Sequence, residues 1–325
     1  MYNLCILVSL ALFIGLVHSF DWDIVVGKSR ELEFYYNGAL THTEEIRSAN
    51  QIHTISYDPV NYRVLMVDYT YPNVSISSFD LTTRKIQPLL MRDANGYYNA
   101  RVVFEPVTQL FFRKNDPYIY SSKLSPASSD IVDETLLVKL DHVCLDIAVD
   151  SCGGYIYWIT HHTIERARLN GSGREVLIED KVYDRRSLTV DQQTQKIYWT
   201  EKVHESTNSM IFIKSANLDG KNITILYTVG NDIYATSLAV TKDFIYWQQF
   251  TDMGIFQLPK SPSQKKPRKL ISTYISTCVY CRRVATNYRI EEQIQGIQNC
   301  EGAQAAKTST ITNHRTFCKN LSLVL

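Results

Sequence analysis

The sequence carries almost no net charge: 34 lysines and arginines face 33 aspartates and glutamates, leaving +1. That balance removes the electrostatic reason to expect a nucleic-acid or membrane-surface partner. Beyond the N-terminal segment no apolar run approaches the ~20 residues of a helical membrane span, and Leu321–Leu325 is too short for a lipid-anchor tail. The readable catalytic signatures are missing too: no nucleophile elbow, no HExxH pair, no glycine-rich phosphate loop. Cys278-Val-Tyr-Cys281 has the spacing of half a zinc site, but no second half accompanies it. No cofactor is implied and no metal site is expected.

What is present begins at the N-terminus. An apolar run from Leu4 to Val17 ends in Val17-His18-Ser19, the shape of a secretory signal cleaved after Ser19, although no Lys or Arg precedes it. The alternative is a membrane anchor, for which the run is short. The reading therefore expects a signal over 1–19 and a secreted, extracellular mature chain without a membrane span. Cys5 would leave with the signal, so that Cys144, Cys152, Cys278, Cys281, Cys300 and Cys318 remain as disulfide candidates. Six cysteines allow 15 connectivities. Cys144 with Cys152 is disfavoured, since a strand from Cys144 to Val149 separates its ends by roughly 20 Å, beyond bridging distance.

Tyrosine is abundant, at 21 residues, and suits strands and amphipathic surfaces. Three segments set a period: Tyr155-Ile-Tyr-Trp-Ile-Thr160, Lys196-Ile-Tyr-Trp-Thr-Glu201 and Phe244-Ile-Tyr-Trp-Gln-Gln249. Each follows an alternating apolar strand, and degenerate copies precede them at Ile55–Asp58 and Val102–Glu105. The anchors Asp58, Glu105, Asp150, Asp191 and Thr241 are spaced by 47, 45, 41 and 50 residues. That is the length of a four-stranded propeller blade. Two further strands follow each aromatic one, joined at Asn170-Gly171 and Asp219-Gly220, dipeptides that favour tight hairpin turns. A blade cannot bury both of its faces alone, so neighbours must stack into a ring.

Residues 23–46 read as outer strands lacking an innermost one, which Ser276–Tyr288 is expected to supply. Five whole blades and one shared between the termini make six. The expected fold class is all-β.

These residues resemble the LDL-receptor class B, or YWTD, repeat: an inner strand ending in Asp, then Tyr-Trp-Thr-Asp, Ile-x-Arg and Leu-Asp-Gly. The best copies are Asp150…Tyr157-Trp158…Ile164-Glu-Arg166…Leu169-Asn-Gly171 and Asp191…Tyr198-Trp199…Leu218-Asp-Gly220. The copies at Asp58, Glu105 and Thr241 depart from the motif. The resemblance implies a six-bladed β-propeller of YWTD type over residues 20–290, followed by a short Cys-containing C-terminal tail at 291–325. Family propellers are usually followed by EGF-like modules, for which Cys281, Cys300 and Cys318 are too few and too spread.

Tyr157, Trp158, Tyr198, Trp199, Tyr246 and Trp247 are expected to fill inter-blade gaps rather than to stack on a ligand. Six-bladed hydrolases and lactonases hold a metal in the central funnel through acidic and amide side chains. The corresponding register here, Thr54, Arg101, Asp146, Ser187 and Ser237, offers one carboxylate and one cation, a poor set for Ca²⁺. The loops after each second strand instead carry recognition material: Tyr69, Tyr71, Arg113, Lys114, His161, His162, Glu201, His204, Gln249 and Phe250. An ordinary solvated surface is the plain alternative. The three histidines are expected to share one sector of the rim. Lys260–Lys269, with five cations in ten residues, reads as a solvated loop rather than a glycan site. Sequons stand at Asn73, Asn170, Asn222 and Asn320, of which Asn170 and Asn222 fall on the far rim. The function expected is a secreted, non-enzymatic module (a soluble ligand, decoy or receptor-associated factor) that binds an extracellular protein ligand or receptor. Its rival is a propeller hydrolase or lactonase with a Ca²⁺ site. The sequence leaves the oligomeric state open.

Overall fold

The computed structural model describes residues 22–58, 61–70, 73–93, 101–124, 131–179, 184–204, 209–231, 235–249, 254–261, 266–272 and 282–286. The expected signal and tail lie outside them, as do Tyr71, Phe250, Asn320, Cys278, Cys281, Cys300 and Cys318. No helix among the described residues is long and apolar enough to cross a membrane.

The described strands form six antiparallel sheets of four strands each. Blade 1 contains β1 (Ile24–Lys28), β2 (Glu31–Tyr36) and β3 (Ala39–Glu45); blade 2 is β4 (Ile52–Asp58), β5 (Arg63–Thr70), β6 (Asn73–Asp80) and β7 (Ile86–Asp93). Blade 3 is β8 (Arg101–Glu105), β9 (Leu110–Asn115), β10 (Tyr118–Leu124) and β11 (Ile131–Lys139). Blade 4 is β12 (Cys144–Asp150), β13 (Tyr155–Thr160), β14 (Thr163–Arg168) and β15 (Glu175–Glu179). Blade 5 is β16 (Asp184–Asp191), β17 (Lys196–His204), β18 (Ser209–Asn217) and β19 (Thr224–Asn231). Blade 6 is β20 (Ala235–Val240), β21 (Phe244–Gln249), β22 (Gly254–Pro259) and β23 (Arg268–Ser272). The last strand, β24 (Arg282–Thr286), returns to pair with β1, Ile24 opposite Thr286 and Lys28 opposite Arg282, as the innermost strand of blade 1. The innermost strands neighbour one another in a closed circle, β4–β8–β12–β16–β20–β24. The molecule is a six-bladed β-propeller, shut by a blade that both ends of the ring share.

Alternation along each second strand decides where the aromatics go. Trp158 points back to blade 3, into a cluster with Phe112, Ile119 and Val138, whereas Tyr157 points forward to blade 5 and meets Leu188 and Trp199. Tyr198 and Trp247 meet in the same way between blades 5 and 6, and Tyr246 joins Ile24 and Val26 between blades 6 and 1. All six rings are buried. A wedge between twisted sheets needs large, rigid apolar groups, and these supply them.

The anchor acids work locally. Each ends an innermost strand and accepts N–H groups of the following turn: Asp58 from Asn61, Glu105 from Val107 and Thr108, Asp191 from Gln193 and Thr194. Asp150 is turned likewise on Gly153 and Cys152, though burial still raises its pKa. The outer turn glycines work between blades. A Cβ on Gly171 (φ 82°) would lie 2.6 Å from the Leu137 carbonyl oxygen of blade 3, and one on Gly220 would lie 2.8 Å from that of Leu177 in blade 4. Gly154, at φ 70°, has nothing within 4 Å of such a Cβ. Gly171→Ala should therefore lower stability by more than about 1 kcal/mol, and by clearly more than Gly154→Ala, in paired denaturant titrations. Equal losses would show that blade contact at Gly171 is immaterial.

Candidate functional site

In every blade the start of the innermost strand and the end of the second strand share one end of the disc: Ile52 opposite Asp68, Arg101 opposite Lys114, Cys144 opposite Thr160, Asp184 opposite Lys202, Ala235 opposite Gln249. Among the described residues, the turns at Asp116-Pro117 and His161-His162 and the connection at residues 141–143 open on this face.

At the channel, single residues of successive innermost strands join hands. Asp146 Oδ1 lies 3.8 Å from Arg101 Nε, and Asp146 Oδ2 accepts from Ser187 Oγ at 3.0 Å and the Leu188 N–H at 3.1 Å. Ser187 Oγ accepts in turn from the Leu238 N–H at 2.9 Å, and Ser56 Oγ from that of Phe104 at 3.2 Å. Thr54 and Ser237 are buried in the same register. Burial pulls the Arg101 pKa down, and Asp146 beside it pulls the other way. The one carboxylate of this ring is spent on fastening blades 3, 4 and 5. Among the described residues no group of three His, Cys, Asp or Glu side chains stands close enough to hold a metal.

The rim differs from the expected row of loops. Arg113 and Lys114 lie within β9 and are each 1% exposed. Arg113 occupies, counted from the anchor, the place that Trp158 and Trp199 take in blades 4 and 5. There it pairs with Glu134 at 2.7 Å, with its guanidinium 4.8 Å from the Tyr120 ring centroid. Lys114 pairs with Asp116 at 2.6 Å, and Asp116 accepts the Cys144 N–H at 2.9 Å. Glu201, 1% exposed within β17, accepts from Trp199 Nε1 at 3.1 Å and pairs with Arg185 at 3.4 Å and with Lys214. Gln249, the last residue of β21, is buried. Arg113, Lys114 and Glu201 brace the rim from beneath, because a charge met by an opposite charge close by can be buried.

His161 and His162 do stand in a turn, between β13 and β14, half-buried. His162 meets His142 edge-on, with ring centroids 5.9 Å apart. His142 belongs to the connection between blades 3 and 4, beside the half-exposed Val143. The sequence reading missed it; its place just ahead of an innermost strand was the available signal. His204 ends β17 and Tyr69 lies in β5, their side chains outside the described atoms. Asn73 begins β6 on this face, whereas Asn170 and Asn222 are exposed on the other.

One cysteine departs from expectation. Cys144 is a free thiol, fully buried beside Lys114, Asp116, Asp146 and Arg101, and burial pushes its pKa up to about 12. It opens an innermost strand that faces the channel, where no second cysteine of the described residues can reach it. Cys152 is disulfide-bonded, to a partner outside the described residues.

Fold, blade count and the Tyr-Trp core define a β-propeller of the YWTD type. In sequence the chain is similar to Protein cueball: 26% identical over 264 residues to that of Drosophila virilis, and 32% over 252 residues to that of Drosophila simulans. These matches take in 76% and 74% of this chain but only 40% and 38% of the relatives, so the chain spans about two-fifths of their length. It is a cueball-like YWTD propeller. No protein-family model matches it. Among solved structures, one of a nidogen/laminin complex superposes with a TM-score of 0.63 at 13% identity, covering 82% of this chain and 98% of that one. TolB from Acinetobacter baumannii superposes at 0.58, also at 13% identity, covering 86% and 71%. At these identities the likeness is one of fold.

Proposed function

We propose that this chain is a secreted, non-enzymatic module that binds an extracellular protein ligand or receptor on the face bearing the second-to-third-strand loops. The observation that carries the reading is the construction of that face. Buried ion pairs at Arg113, Lys114 and Glu201 hold its strands rigid, and His142, Val143, His161 and His162 are left partly open above them. A rigid platform lowers the ordering cost of association, and aromatic and polar groups standing on it supply contact. The fold's occurrence in a nidogen/laminin complex agrees with a role in protein recognition. Glycans at Asn170 and Asn222 would leave the face clear.

The test is affinity capture from extracellular fluid, followed by affinity measurement on the captured protein. A His142→Glu/His162→Glu double variant should bind it at least about tenfold more weakly, a loss of roughly 1.4 kcal/mol, while Asn170→Gln/Asn222→Gln binds as before. Equal binding by all three proteins would place the interface elsewhere. Stoichiometric Ca²⁺ in the purified protein would overturn the non-enzymatic reading.

A further inference from the structure

The wedge between blades 5 and 6 is filled differently from the wedge between blades 4 and 5. Between blades 4 and 5, Arg166 of blade 4 reaches over Tyr155 and donates to the Leu218 carbonyl of blade 5 at 2.8 Å, and the Leu218 side chain packs into the shared core. Leu169 packs likewise between blades 3 and 4. Strand register identifies the equivalents between blades 5 and 6. Tyr157 faces Arg166 as Tyr198 faces Ser215, and Leu218 stands two residues past Ala216 as Lys260 stands two past Leu258. Serine thus stands where blade 4 has Arg166, as it also does in blades 2 and 3 at Ser78 and Ser121, and lysine stands where blades 2, 4 and 5 have Leu81, Leu169 and Leu218.

Both differences withdraw side chain from the wedge. Serine is short, and Lys260 turns to Asp191, at 2.5 Å, and to the Thr241 carbonyl. A pocket of about 240 Å³ remains, walled by Leu226, Ile245 and Leu258 and bordered by Lys196, Ser215 and Lys260. Its polar groups are not all spent. Ser215 is 1% exposed and its Oγ has no hydrogen-bond partner. Lys196 is half-buried and has no ion pair among the described residues. The charge of Lys260 is already met by Asp191, so the pocket offers one uncompensated cation, one unpaired hydroxyl and an apolar wall.

We infer that the pocket between blades 5 and 6 is a binding site for a small amphipathic carboxylate, its acid group between Lys196 and Ser215 and its chain against Leu226, Ile245 and Leu258. A neutral apolar guest would leave the ammonium and hydroxyl unanswered, and a polyanion would bring surplus charge to an apolar wall. Since a cavity of ~150 Å³ admits benzene, this one accommodates roughly ten non-hydrogen atoms.

Octanoate is the probe, measured by calorimetry on the full chain, with octan-1-ol as its neutral counterpart. Octanoate should bind saturably at one site and more tightly than octanol, and Lys196→Gln should weaken it at least about tenfold. Ser215→Arg/Lys260→Leu installs the filling side chains of the blade 4–5 interface and should abolish binding. Absence of saturable binding to the wild type, or equal binding by the refilled variant, overturns the site. Should the refilled variant fail to fold, Lys196→Gln decides: unchanged octanoate affinity overturns it.

Discussion

A chain ended after Ser272 should fail to give a soluble, cooperatively melting protein. It keeps twenty-three of the strands, but the strand it loses is the one that closes the ring. β24 covers the inner edge of β1 over five paired residues and neighbours both β20 and β4. Without it, Ile24–Lys28 presents unpaired N–H and C=O groups along an apolar strand, the arrangement that recruits further chains. The cores on either side of blade 1, Trp22 and Phe34 against Val64 and Met66, and Ile24 and Val26 against Tyr246, would open to water at the seam. Size-exclusion chromatography and a thermal melt suffice. A monodisperse truncation that melts in one transition near the full-length temperature would show that the ring closes without β24.

Trp199→Ala should destabilise the protein by roughly 3–5 kcal/mol, as a fully buried large-to-small change does. The indole is 1% exposed in the core of blades 4 and 5, against Tyr157, Leu188 and Ile197. The substitution also removes a donor from Glu201, but Arg185 and Lys214 still meet that carboxylate, so the cavity dominates the loss. Trp199→Phe, which leaves a smaller void, should cost clearly less. Denaturant unfolding measures both; a near-wild-type midpoint for Trp199→Ala would contradict the packing of this interface.

The two side chains that border the pocket are plain in the sequence, yet only the packing of blade 6 on blade 5 makes them neighbours. Ser215 and Lys260 are 45 residues apart, in different blades. Taken singly, Lys260 opens a basic stretch and reads as solvated, whereas it is bound to Asp191, 69 residues away. The rim was misjudged for a related reason. Arg113, Lys114 and Glu201 follow the apolar part of their strands and look like loop residues. Their burial depends on Glu134, Asp116 and Arg185, of which only Asp116, two residues past Lys114, is near in sequence.

Sequence alone determined the all-β class, the blade period, the inward turn of Tyr157, Trp158, Tyr198 and Trp199, and the return of the C-terminal region to complete blade 1. These follow from short-range rules: side chains alternate along a strand, acids accept from the turns beside them, and Asn-Gly and Asp-Gly reverse the chain. Tertiary structure alone decided which charged residues are exposed, that Cys144 stays a thiol, that His142 meets His162, and that one wedge between blades stands unfilled. Each of those depends on what a neighbouring blade brings within a few ångströms, and burial of a charge or a gap in packing is a property of the pair rather than of either strand.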